Sequence, residues 1–293
     1  MRPPKIIGRT AIGEIVFIVD AQVHVWGPNT PQRPWRTGHS PRRADPLTPE
    51  KLQHEMLAAG VARAVLVPPY IDCERNDLVL AAAQKYPDHF AVMGRLDINS
   101  PGARTQFATW RTQPGMFGLR CSFNRPELYA PLVDGRLDWL WTEAERAGMP
   151  IMALVPHALL HVIDRIAERH PMLKLALCHF SLPNDTLDAE AFRDFDQLLA
   201  LARRQNIMVK ASALPCYTSE RFPFPYLHAY IRRTYDAFGP SRLMWGSDLS
   251  RLPCNYTECI DLFTQELPWL SATDLDAIMG RNLCAWLDWK SPV

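Results

Sequence analysis

The feature that most constrains this chain is a repeat of local periods. Short runs of β-forming residues alternate with longer stretches of helical spacing along almost the whole sequence. The strand runs fall at 15–20, 64–68, 90–96, 116–121, 150–155, 173–179, 207–211 and 243–247. Helical stretches fall near 48–59, 74–86, 101–112, 134–147, 158–169, 187–205, 224–238 and 256–266, with a closing helix near 272–287. A helix after every strand implies crossovers between parallel strands, and eight such units close a barrel. The expected fold class is therefore α/β: a (β/α)8 TIM barrel with long loops on its C-terminal face and a C-terminal helix. No linker, low-complexity run or charge block divides the 293 residues, so 1–293 reads as one domain.

Local punctuation agrees with the period. In "LTPEKLQHEMLAAGV", Thr48 is placed to cap a helix, Pro49 to open it and Gly60 to stop it. The same order of helix, glycine and strand recurs in "AERAGMP" (144–150) and "DAFGPSRLMWGSD" (236–248). Two long loops, 26–47 and 212–226, follow the first and seventh strands. Both would lie on the C-terminal face, where barrels of this kind build their active sites.

Composition narrows the partners. Lys and Arg (32) nearly balance Asp and Glu (31), which removes the bulk-charge case for nucleic acid or an anionic membrane. No run of 18 apolar residues is present, and residues 1–20 contain no apolar signal segment. Seven cysteines form no CxxC pair, which fits a reduced, cytoplasmic protein. The expected partner is a small-molecule substrate; a homodimer is compatible with the sequence, which locates no interface for it.

Chemistry gathers at the strand ends. "IVDAQVHVWG" (18–27) sets Asp20, Gln22 and His24 at every other residue, hence on one face of a strand. A lone histidine at a strand end is ordinarily a hydrogen-bonded structural residue, but His24, His157 and His179 all fall at or just past strand ends. Asp248 ends the eighth strand, which closes beside the first. A carboxylate there could cap a helix; beside histidines it could also take a proton from an attacking water. Two histidines and a carboxylate also suit a catalytic metal, although glutamine stands where a second strand-one histidine would complete the pattern. Arg120 in "GLRCSF" and Lys210 in "IMVKASAL" must meet a carboxylate or a ligand if they point inward. Trp26, Trp35 and Tyr217 could wall a ring-shaped substrate, Cys178 reads as core, and the arginines of loop 26–47 read as solvated, with one or two as lid contacts.

Taken in order, "VDAQVHVWG", "GVARAVLVPP", "GLRCSF", "LALCHFSLP", "IMVKASAL", "RLMWGSD" and "MGRNLCAWL" resemble the landmarks of the amidohydrolase-related family of (β/α)8 barrels, in its lactonase-like branch. The resemblance implies that His24 is the second histidine of the strand-one pair and that Gln22 replaces the first. His157 and His179 then match the histidines of strands five and six, Cys178 replaces an aspartate, and Asp248 is the strand-eight proton shuttle. The family includes metal-bound hydrolases, decarboxylases and lactonases that work without metal. Two cofactor states follow: one divalent ion, zinc or manganese, held by His24, His157 and Asp248, or none. Without metal, Asp248 activates water while His24, His157, His179 and Arg120 bind the carbonyl and any carboxylate. Gln22, Arg120, Trp26, Tyr217 and Lys210 are the expected substrate-binding residues. The implied reaction is hydrolysis of a lactone, or related cyclic ester, of a small polar or carboxylated acid. The alternatives are metal-dependent decarboxylation of a hydroxylated aromatic or unsaturated acid, and an inactive ligand-binding barrel.

Overall fold

A computed structural model describes residues 8–9, 15–43 and 45–290. Eight parallel strands form, in hydrogen-bonded order along the chain: β1 (Val19–Val23), β2 (Arg63–Leu66), β3 (Phe90–Gly94), β4 (Met116–Ser122), β5 (Ile151–Leu154), β6 (Leu175–Leu177), β7 (Ile207–Ser212) and β8 (Leu243–Gly246). Helices lie between them, and the architecture is a nearly closed (β/α)8 barrel. Leu66, Val92, Leu119, Ile151 and Val209 face the helices, whereas Val65, Ala91, Met93, Met152, Ala176, Met208 and Met244 fill the barrel. With both faces covered, the strands are mainly apolar, broken by Asp20 and Gln22 in β1, Arg120 in β4 and Lys210 in β7.

The helix Asn282–Leu287 closes the N-terminal end. Leu283, Cys284, Trp286, Leu287 and Trp289 join the barrel-filling residues there. Arg63, at the start of β2, donates to the Lys290 carbonyl (2.6 Å) and lies 4.7 Å over the Trp289 ring. A π-helical turn, Ala277–Arg281, precedes this helix and packs against the entry to β1. Gly280 permits that approach: a Cβ on it would stand 2.2 Å from the Phe17 carbonyl oxygen.

Strand one departs from the expected 15–20. Ile15–Val16 pairs antiparallel with Gly8–Arg9, and the barrel ladder begins at Val19. Asp20 stands opposite Ala64, but Val23 stands opposite Leu66, so β1 takes three steps where β2 takes two. This is a β-bulge, held by the Asp20 carboxylate accepting the Gln22 backbone N–H at 2.9 Å. The extra residue overturns the shared face read from the spacing: Asp20 turns to the seam with β8, while Gln22 turns into the barrel.

That seam closes chiefly through side chains. β1 and β8 stand at the two ends of the hydrogen-bonded strand order. Asp20 accepts the Ser247 N–H (2.9 Å), the Ser247 hydroxyl and the Tyr256 hydroxyl (2.7 Å), and the Asp248 N–H donates to the Gln22 carbonyl (3.0 Å). Burial pushes the Asp20 carboxyl up, against these hydrogen bonds, which pull it down.

Other elements differ in extent. The expected helix 187–205 is two short helices, Asp188–Ala191 and Phe195–Ala200, followed by a 3-10 turn; 134–147 begins at Asp138 and follows a separate helix, Pro126–Val133. Strand six ends at Leu177, before His179. Among the described residues no helix is long and apolar enough to cross a membrane.

Candidate active site

Backbone strain marks the C-terminal face. His179, Phe180 and Ser181 after β6, Ala213 after β7 and Asp248 after β8 all hold left-handed φ angles of 52–56°. Non-glycine residues adopt this region at a cost, and they persist there when surrounding structure over-determines them. The strain gathers at three neighbouring strand ends, where it turns side chains toward the mouth of the barrel.

Asp248 is the centre of the group. Its carboxylate is buried, with Oδ1 3.1 Å from His24 Nε2, Oδ2 3.6 Å from His179 Nε2 and Oδ2 3.4 Å from Arg251 Nη1. Burial alone would raise its pKa, but His24 and then Arg251 beside it outweigh burial and hold the carboxyl well below the ordinary range. The side chain caps no helix. His24 directs Nδ1 at the Val67 carbonyl (2.7 Å); since a carbonyl only accepts, that nitrogen carries a proton and Nε2 is left to face Asp248. His179 is buried, and burial holds its ring well below the usual histidine value despite the nearby Asp248.

Beneath this layer, Lys210 donates from Nζ to Gln22 Oε1 (2.8 Å), and Gln22 Nε2 lies 3.2 Å from His179 Nε2. His157 takes another direction: it sits in the turn after β5, with Nε2 3.3 Å from the Phe180 carbonyl. Trp26 packs in the layer between strands and helices, and Tyr217 is fully buried with its ring 5.9 Å from the Arg251 guanidinium carbon. Neither ring offers an open wall in this conformation. Cys178 lies in the barrel core.

Arg120 belongs to a second cluster that sequence reasoning largely missed. A cavity of about 210 Å³ is lined by Arg36, Arg95, Arg120 and Arg125, together with the carboxylates Glu74, Asp97 and Glu127. Glu74 is shared between Arg36 and Arg125, at 3.3 Å from each, and both guanidiniums lie over the Tyr70 ring, at 4.2 and 3.9 Å. Burial, then repulsion from Arg120 and Arg125, lowers Arg95 to about 9. Arg120 Nε and Arg125 Nη2 are buried without a hydrogen-bond partner. Crowded cations and unused donors are what an anion would satisfy. Arg120 also connects the two clusters, since its charge reaches both His179 and Lys210. Arg95 could have been found from the sequence, because in "VMGRLD" it directly follows a strand, as a catalytic-face residue should. Arg36 is brought in by loop 26–47, which Arg33 ties to Asp72 and Asp77.

The ligand set His24, His157 and Asp248 is not assembled. His24 and Asp248 are in contact, but His157 is turned to Phe180, and among the described residues no group of three or more His, Cys, Asp or Glu is arranged to hold a metal ion. The amide oxygen of Gln22, the donor in place of the missing histidine, is already engaged by the Lys210 ammonium. A fixed cation there opposes a second one, so the residues present do not fit a divalent ion at this position.

A (β/α)8 barrel with a strained aspartate between two histidines at the end of its last strand is a hydrolase architecture, and the chain belongs to the amidohydrolase family, whose model matches residues 19–282. Among named relatives, it is 27% identical over 259 residues to L-fucono-1,5-lactonase of Burkholderia ambifaria, covering 81% of this chain and 82% of that protein. It is 26% identical over 260 residues to 4-sulfomuconolactone hydrolase of Hydrogenophaga intermedia, covering 84% and 80% respectively. Its fold is similar to the crystal structure of an amidohydrolase from Burkholderia multivorans with bound zinc, at a TM-score of 0.79 and 22% identity over 93% of this chain and 99% of that one.

Proposed function

We propose that this enzyme hydrolyses a small lactone carrying an acidic group, with Asp248 as general base and the arginine cavity as the anchor for that group. The carrying observation is the pairing of a buried, ionised carboxylate with a cavity rich in unpartnered guanidinium donors on the same face of the barrel. Two relatives named as lactone hydrolases support the reaction class. In this reading Asp248 removes a proton from water as its oxygen bonds to the lactone carbonyl carbon. The ring C–O bond then breaks, and the departing alkoxide takes the proton from Asp248, which returns to its anionic state. A carboxylate held so low is a weak base; a substrate that draws His24 or Arg251 toward itself restores its basicity during the attack. Arg120 orients the acid group, and His24 polarises the carbonyl. The enzyme acts as a single domain, and its seven free thiols support a reduced cytoplasmic setting.

The test is a lactone panel followed by acid release, before and after chelation, with metal content measured on the same protein. Turnover of acidic lactones that survives chelation is expected. Release of carbon dioxide from a hydroxylated aromatic acid, abolished by chelation, would replace this reading with the decarboxylase. Binding of both classes without turnover would leave a ligand-binding barrel.

A further inference from the structure

The reaction above has no direct use for Lys210, although it is a costly residue. It is fully buried among the barrel-filling side chains, and its hydrogen-bond partners are an amide oxygen, Gln22 Oε1 (2.8 Å), and a thioether, Met152 Sδ (3.4 Å), not a carboxylate. Arg120 adds like charge from nearby, and burial lowers the ammonium to about 8. The surrounding positions are occupied by Met152, Ala176, Met208 and Met244, so an apolar side chain would pack there without this penalty.

What lysine supplies, and methionine could not, is a one-way hydrogen bond. An ammonium only donates, so it fixes the Gln22 amide with oxygen toward Lys210 and nitrogen toward His179. The amide nitrogen also only donates, so His179 Nε2 must be bare. The ring proton then sits on Nδ1, which faces the Ser212 carbonyl (3.2 Å) and hydroxyl (2.8 Å). Asp248, 3.6 Å from His179 Nε2, favours the opposite arrangement, with a proton between the two. The site therefore contains two competing instructions for one imidazole.

We propose that Lys210 is a positioning residue: through Gln22 it holds His179 neutral in the Nδ1–H tautomer, so that Asp248 shares no proton with it and keeps its lone pairs for water. The chain Lys210, Gln22, His179, Ser212 runs in one donor direction from end to end. The kinetic part rests on the lactonase reading; the tautomer does not.

The experiment is nitrogen NMR of protein carrying isotope-labelled histidine, with the His179 signals assigned by their loss in His179→Asn. Wild type is expected to show a protonated Nδ1 and a bare Nε2. Gln22→Glu changes one group and offers only acceptors to both neighbours, so the His179 proton should move to Nε2. Lys210→Met, in which the amide is free to turn, should populate the same Nε2–H form. With an acidic lactone as substrate, both variants should lose about 10- to 100-fold in kcat, with KM little changed. A wild-type Nε2–H tautomer, or a tautomer unchanged in both variants, overturns the proposal. A purely structural lysine would alter thermal stability and leave the nitrogen signals where they are. If no lactone is turned over but the tautomer shifts as stated, the hydrolase reading fails alone; if lactones are turned over and the tautomer does not shift, this inference fails alone.

Discussion

The two ends of the barrel satisfy their residues in opposite ways. At the N-terminal end, Trp286, Leu287 and Trp289 fill the interior, Gly280 lets a helix touch backbone, and the cations Arg63 and Lys174 find carbonyl or carboxylate partners. At the C-terminal end, five residues at three neighbouring strand ends hold left-handed backbone, against Asp288 at the floor, and Arg120, Asn124, Arg125, Ser181 and Tyr217 keep buried polar atoms without partners. One end is complete in itself; the other is complete only with something bound. Stability is concentrated where nothing remains to be satisfied, and chemistry where something does.

The largest effect that would sharpen this contrast is at the mouth. Asp248→Asn should reduce kcat by about 10²- to 10⁴-fold and, at neutral pH, should also lose the stability that the ionised carboxylate contributes. Near-wild-type turnover would remove Asp248 from the chemistry. The same variant carries a pH test. Because the folded carboxyl lies below its unfolded value, the stability it contributes is complete above about pH 3.9 and is lost as pH falls further. Acid titration followed by circular dichroism should therefore show a shallower loss below pH 4 in Asp248→Asn than in wild type.

At the floor the pattern should invert. Leu287 is fully buried, so Leu287→Ala should cost about 2 to 5 kcal/mol in denaturant unfolding while the folded fraction keeps its kcat. A changed kcat in fully folded protein would show that the two ends are coupled. Arg120→Gln should raise KM for an acidic lactone about 10- to 100-fold, equivalent to one lost charge-assisted contact, and leave a neutral lactone nearly unaffected. Equal effects on both substrates would place the acid group elsewhere. The smallest change is at a helix cap on the mouth side: Asn255→Ala removes the capping box of helix Tyr256–Thr264 and should cost about 1 kcal/mol.

The eight strands were legible because they are buried on both faces and spelled in mostly apolar letters between helical stretches. His24, His179 and Asp248 were legible because strand ends on one side of a barrel must converge, and the structure brings these three together. The bulge at Asp20 was not, since it depends on one carboxylate reaching the backbone two residues on, a choice that strict alternation cannot encode. His157 has the right position in the sequence, but the turn after β5 aims it at Phe180. Arg36 reads as a solvated or lid arginine of loop 26–47, and nothing in the sequence singles out Arg125; only their packing over Tyr70 and against Glu74 reveals both as cavity wall. Boundaries of the helical stretches failed where one period hid a break, as in 187–205.

The seam at Asp20 has a consequence for the order of assembly during synthesis. Its hydroxyl partners lie at Ser247 and Tyr256, so a ribosome that has delivered seven strands has still delivered neither of them. Until then the first strand carries an acid it cannot bury, and contacts so distant in sequence are slow to form. Premature closure on a wrong neighbour is thereby penalised, and the barrel can shut only on the segment that also brings Asp248 to the mouth.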